Sequence, residues 1–321
     1  MSEPEAKRSA AGLKPYALIV LALSLLALAL GFVGVPIPLI PTFSVIVTAV
    51  FVIAPFLALY VGASAADASV RLVRLKVPVA SVLLVVGVLL HAGSIALLQL
   101  QLVSGLAAAV VSVFGQAGLV TWCLGLGGLL GMLVKDKNML VPISVFLALF
   151  DVFLVLTPVG LTQQVMQKAP KLQTSVSLVI PRVVETPTAG PVMPLAYIGP
   201  ADLLFAAMFF TVLFRQRMRT RETFLWLGPV LVLYLVAALL FGSLPALVPI
   251  GLCVLLVNFR EFKLNKEEWA STGLVAALGL GLIIWGFSMP KSRAAPLPPA
   301  AAPGAPVQGG SPRPEQPNPR P

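Results

Sequence analysis

Nine continuous apolar runs dominate this chain: 16–35, 43–61, 77–100, 103–134, 139–157, 198–214, 224–241, 245–257 and 271–287. About 20 apolar residues in helical form reach across a hydrocarbon core of roughly 30 Å. The runs are unbroken rather than alternating, so they read as helices and not as the strands of a β-barrel. Hydrophobic residues make up 58% of the 321 and charged ones 11%, well below the roughly 25% of a globular domain. Lipid must be the solvent for most of this surface. A soluble enzyme, a collagen, a coiled coil and a disulfide scaffold are all excluded. Cys123 and Cys253 both fall inside apolar runs and read as free, packed thiols. The net charge of +10 sits in short clusters between runs, with no basic stripe interleaved with aromatics, so nucleic acid is not a partner.

Those clusters predict a topology. With the amino terminus inside, the inner segments hold Lys7, Arg8, Lys14, Arg71, Arg74, Lys76, Lys135, Lys137, Arg215, Arg217, Arg219, Arg221, Arg260, Lys263 and Lys266. The outer segments hold Lys168, Lys171, Arg182 and four cations of the tail. Positive residues accumulate on the cytoplasmic side. The bias predicts nine crossings, amino terminus in and carboxyl terminus out, in a multi-pass protein of the plasma or cytoplasmic membrane. The first run is long for a signal sequence and reads as an uncleaved span. The fourth run would be about 48 Å long as one helix. It is either a tilted helix, a broken one, or a re-entrant piece followed by a span, with Gly115-Gln116-Ala117-Gly118 as its weakest point. From Lys291 the chain is proline- and alanine-rich and reads as a disordered tail. Four regions follow: an inner segment 1–15, a first group of spans 16–138, a second group 139–290, and the tail 291–321.

Three ionisable residues lie well inside the runs: His91, Asp151 and Asp202. A carboxylate in the bilayer costs at least about 2.5–3.5 kcal/mol and tends to mark a functional site. His91 reads as a neutral histidine bonded to a neighbouring helix. One histidine without a cysteine–histidine cluster supports no metal site. The aspartates differ. Asp151 lies near the end of the fifth run and Asp202 near the start of the sixth, within roughly 10 Å of the same membrane face. Adjacent antiparallel helices would bring their carboxyl groups together. Such a pair shares a proton and titrates as a unit. It can hydrolyse a peptide bond, the ionised member taking a proton from water and the protonated one holding the carbonyl. It can equally carry protons or cations in a transporter.

The surrounding residues favour hydrolysis. Phe150-Asp151, an apolar stretch and Pro158-Val159-Gly160 resemble the first catalytic helix of the presenilin and signal peptide peptidase family, which has Tyr-Asp and then Pro-x-Gly. Gly199-Pro200-Ala201-Asp202 resembles that family's Gly-x-Gly-Asp, which opens the next helix. Pro245-Ala246-Leu247 matches its Pro-Ala-Leu signature. The likeness covers about 139–257. It implies a presenilin-like all-α bundle of about nine spans and an intramembrane aspartyl protease. Asp151 and Asp202 would be its dyad, and Phe150, Gly199, Pro200, Ala201, Pro245, Ala246 and Leu247 would line the cleft. Its substrates would be transmembrane or signal-peptide helices, with no cofactor. Phe150 in place of tyrosine removes a hydroxyl, and Ala201 in place of glycine adds a methyl. With the loop 158–197 outside, the orientation resembles the signal peptide peptidase branch. Two rivals are a proton- or cation-coupled transporter and a catalytically inactive homologue that binds membrane helices.

The 158–197 loop carries two further expectations. Residues 161–167 could form a short interfacial helix. The segment from Ser175 to Val184 is β-prone, and a strand there could pair with a substrate helix once it unwinds.

Overall fold

A computed structural model describes residues 3–70, 76–160, 162, 175–186, 192–242 and 244–289, with side chains omitted at 3–12, 37, 65–70 and 76–78. The proline-rich tail, Ser243 and nearly all of the interfacial helix expected at 161–167 lie outside those residues.

Nine α-helices run through the described chain. They are α1 (Glu3–Phe32), α2 (Ile40–Val70), α3 (Lys76–Gln99), α4 (Gly105–Leu133), α5 (Leu140–Leu156), α6 (Pro200–Arg215), α7 (Thr220–Phe241), α8 (Leu247–Val257) and α9 (Lys266–Ser288). Seven of them are long and apolar enough to cross a bilayer; α6 and α8 are shorter. The chain is an all-α, multi-pass membrane protein. Between α5 and α6 stands a small antiparallel hairpin, β1 (Leu178–Pro181) and β2 (Pro194–Ile198), with Leu178 opposite Ile198 and Val179 opposite Tyr197. The β-prone stretch does form a strand.

The fourth run is one continuous helix, and its weak point is a contact surface. Gly118 and Gly125 of α4 face the α3 backbone at His91 and Leu84, where a Cβ would collide. His91 Nδ1 donates to Gly115 O at 2.9 Å, so the histidine is the packed, bonded residue its isolation suggested. On another side of α4, Gly127 meets Leu204 O and Ala207, and Gly131 meets Thr211 of α6. Small residues let membrane helices approach closely where lipid offers no hydrophobic drive. The Gly127-x-x-x-Gly131 pair therefore seats α6 within the bundle.

Helix α6 is the best enclosed helix. Leu203, Ala206, Ala207, Phe209, Phe210, Val212 and Leu213 are all buried, against α4 and α2. Helix α5 has only one buried stripe: Leu140, Ser144, Leu147, Asp151 and Val155. The steps of four, three, four and four follow one face of a 3.6-residue helix. That face beds on α8, where Gly251 lies against Ser144, while a different side of α5, carrying Leu149, Phe153 and Thr157, meets Gly279 and Gly286 of α9.

The helix ends alternate between two faces. On one, Arg215 Nη1 donates to Met132 O at 2.6 Å, and Gln216 Nε2 to Lys135 O at 2.9 Å. Arg219 and Lys137 both pair with Glu261 there, and Asn138 Nδ2 donates to Glu268. The segments around 135, 217 and 262 therefore share one face. On the other, Val35 N donates to Val184 O, tying the α1–α2 connection to the hairpin.

Candidate active site

Asp151 sits on the buried stripe of α5, one and a half turns from its end. The helix stops at Thr157, whose Oγ1 donates to Phe153 O at 2.6 Å. Pro158 cannot continue the ladder. Gly160 N donates to Thr157 O at 3.0 Å, and Gly160 folds back so closely on Leu154 O that a Cβ would not fit. The Pro-x-Gly segment is thus a tight turn that ends the Asp151 helix.

Asp202 stands in the first turn of α6. Pro200 is the first helical residue, where a missing N–H costs nothing. Asp202 Oδ2 reaches back and accepts from Gly199 N at 3.1 Å, the return half of a capping box. Gly199 has φ −65° and ψ 148°, an ordinary extended conformation. No turn at this point therefore requires a glycine. A Cβ there would lie 3.1 Å from Asp202 Oδ2, so the glycine leaves space for the carboxylate. From α4, Cys123 Sγ donates to Pro200 O at 3.4 Å and fixes the helix entry.

Residues 245–247 join the two halves. Pro245 is buried, Ala246 caps α8 in helical conformation, and Leu247 is its first residue. Leu247 N donates to Asp151 Oδ2 at 2.8 Å. A helix amino terminus presents unpaired N–H groups and a partial positive charge, both suited to a carboxylate. So the three motifs, spread over nearly a hundred residues, meet at one level.

The two carboxyl groups are close enough to feel each other electrostatically. They arrive differently from expectation, however. Helices α5 and α6 do not pack side by side. The α4 glycines hold α6, while α8 and α9 hold α5, so the aspartates come within electrostatic reach from two different groups of helices. Asp151 is buried and Asp202 half-buried.

The remaining expected site residues lie at the rim. Ala201 is exposed, so its methyl does not crowd the carboxylates. Phe150 points along the outer face of α5, stacked between Phe146 and Phe153 at centroid distances of 5.5 and 6.3 Å. Among the described residues no three His, Cys, Asp or Glu side chains gather as a metal-ligand group would.

Two residues that the sequence did not mark as site residues belong to this region. Gln116 Oε1 of α4 accepts from Val179 N at 3.3 Å and pins β1 to the bundle. Tyr234 of α7 interacts electrostatically with both Asp151 and Asp202, and its hydroxyl is buried with no hydrogen-bond partner among the described residues. A hydroxyl counted to the same depth as the two aspartates was the signal for it. Compared with protein-family models, curated proteins and solved structures, the chain matches none.

Proposed function

We propose that this protein is an intramembrane aspartyl protease, hydrolysing peptide bonds of transmembrane or signal-peptide helices. The observation that carries the reading is the meeting of Asp151, Asp202 and the start of α8, with Leu247 N bonded to Asp151 Oδ2. A carboxyl pair that shares one proton needs different surroundings for its members, and here they differ. Asp151 accepts from a neighbouring helix; Asp202 accepts from its own helix entry and keeps partial access. In this mechanism the ionised carboxylate takes a proton from water as the water oxygen bonds to the scissile carbon. The protonated carboxyl donates to the carbonyl oxygen. As the C–N bond breaks, a carboxyl proton passes to the leaving nitrogen. Which aspartate begins as the base is a property of the pair.

In the same reading α6 and α8 complete nine crossings of a presenilin-like bundle, with the face carrying Arg215 in the cytoplasm. The hairpin supports handling of an unwound substrate. Val179 N turns away from β2 toward Gln116, so in the antiparallel ladder the groups of Tyr197 opposite it also turn outward. Among the described residues no strand lies on that outer edge of β2, which ends beside Asp202. An extended substrate segment added there would be led to the carboxyl pair.

The test is cleavage of a tagged single-span reporter in membranes, with wild type beside Asp151→Ala and Asp202→Ala. The expected result is cleavage by wild type and by neither variant. Wild-type inertness across a broad reporter panel would overturn the reading and leave proton-coupled flux as the next assay.

A further inference from the structure

Tyr234 has no assigned task in that mechanism, and its position is costly without one. Helix α7 is apolar, with 11% of its most hydrophobic window buried. Most of its side chains therefore face lipid, whereas the half-buried Tyr234 turns its hydroxyl inward. Its oxygen is sealed from the surface and has no hydrogen-bond partner among the described residues. A buried hydroxyl without a partner forfeits about 1–3 kcal/mol, so such a group calls for an explanation.

Three observations set its direction. Helix α7 packs on α8, whose first residue bonds Asp151, and on α2, which packs on the Asp202 helix. Counting back from Phe241 puts Tyr234 roughly 10 Å along α7 from its outer end, and Asp151 lies roughly 8 Å from the end of α5. The phenol is therefore at the level of the pair. The groups that act on it electrostatically are Asp151 and Asp202, with no cation beside them among the described residues.

A phenol that faced an occupied acceptor would be bonded to it. One that is buried and unbonded, with two carboxyl groups as its electrostatic neighbours, has an acceptor to gain from an atom that arrives with the substrate. Both carboxyls already have duties toward the water and the carbonyl. The oxygen of the scissile carbonyl gains negative charge as water attacks, and it has lone pairs for two donors. We propose that Tyr234 is a third catalytic residue, its O–H donating to that developing oxyanion beside the protonated aspartate. The phenol proton stays on Tyr234 throughout; the water proton and the leaving-group proton move through the aspartates as described. The inference rests on the proteolytic reading.

Tyr234→Phe removes one oxygen and keeps the ring. With the single-span reporter, we expect kcat to fall about 10²-fold with KM unchanged, the signature of a donor used only in the transition state. Asp151→Ala runs beside it. If Asp151→Ala is dead and Tyr234→Phe cleaves within threefold of wild type, the inference fails and the protease stands. A Tyr234→Phe loss confined to KM would overturn it too, since that marks uniform substrate contact. If wild type and Asp151→Ala are equally inert, both readings fall together. Should Tyr234→Phe not fold, fluorinated tyrosine introduced at 234 alone keeps the shape and strengthens the donor. The kcat should then change in step with phenol acidity at fixed KM, and a flat response would refute the role.

Discussion

The two aspartate-bearing helix ends use opposite means to hold the same group. Asp202 is fixed locally: its carboxylate reaches three residues back to Gly199 N, and Pro200 sets the helix entry between them. Asp151 is fixed remotely: its partner, Leu247 N, is 96 residues away and belongs to another helix. The surrounding helices differ in the same sense. Helix α6 is enclosed and seated on α4 glycines, while α5 is buried along one stripe only, meets α9 through Leu149, Phe153 and Thr157, and exposes Phe146 and Phe150. One carboxylate thus belongs to the enclosed centre, and the other is tied to the seam between α5 and α8. A pair built this way can be opened for a substrate without unfolding the element that carries either member.

The largest effect separates chemistry from anchoring. Asp151→Ala and Asp202→Ala should each cut reporter cleavage on the order of 10⁴-fold, because residues acting as a unit fail as a unit. Their stabilities should diverge. Asp151→Ala strands the buried Leu247 N–H, at about 1–3 kcal/mol. Asp202→Ala loses half a capping box, about 0.3–1.5 kcal/mol. Thermal unfolding in detergent reads the difference; equal stabilities would mean that the remote anchor is no stronger than the local one.

Next comes the seat of α6. Gly127→Val puts a side chain against Leu204 O, a backbone atom that cannot swing aside. Helix α6 must shift and carry Asp202 with it. A displacement of about 1 Å at a catalytic group costs on the order of 10²-fold in rate. Gly273→Val is the control, since nothing lies within 4 Å of a Cβ there. Cleavage assays on both, normalised to folded protein, decide whether α4 positions the site.

The local anchor can be dissected more finely. Gly199 has a φ that proline also adopts, and it follows a strand, which suits the residue before a proline. Gly199→Ala adds only a Cβ near Asp202 Oδ2; Gly199→Pro deletes the N–H as well. A hydrogen bond to a charged group contributes about 1.5–3 kcal/mol. The proline variant should therefore cleave about tenfold more slowly than the alanine variant. Equal rates would mean the capping bond does not orient the carboxylate.

What could be read in advance follows the same division between local and remote. The aspartates were legible because charge is scarce in these runs, and Pro200 because helix entries have local rules. Strand β1 was legible from its branched residues, whereas β2, the strand before Asp202, has a single branched residue and was not read. The bond from Leu247 to Asp151 was not, since only the fold brings the two together. Gly115-Gln116-Ala117-Gly118 read as a weak point because glycine and glutamine look like a break in an apolar run. In the bundle those residues are contacts: Gly118 for α3, Gly115 for His91, Gln116 for the hairpin. Tyr234 was hidden by the solvent itself. In water an inward face announces itself by hydrophobic period, but in lipid both faces of α7 are apolar.

The smallest predicted effect concerns the other end of α6. Arg215 donates to Met132 O at 2.6 Å, with Gly131 O and Val134 O at 3.5 Å. It thereby closes the carboxyl end of α4, where free carbonyls and the helix dipole favour a cation. It lies roughly 20 Å along the helix from Asp202. Arg215→Ala should lower stability by about 1 kcal/mol through the lost carbonyl bonds, read as a lower thermal midpoint in detergent. Cleavage per folded molecule should stay within twofold of wild type. Arg215→Lys keeps the charge near the carbonyls but not the planar fork, and should fall between the two in stability. A loss of cleavage beyond tenfold in folded Arg215→Ala protein would contradict the division. It would mean that α6 transmits strain from its capped inner end to the carboxylate at its outer one, and that the enclosed helix is less rigid than its packing implies.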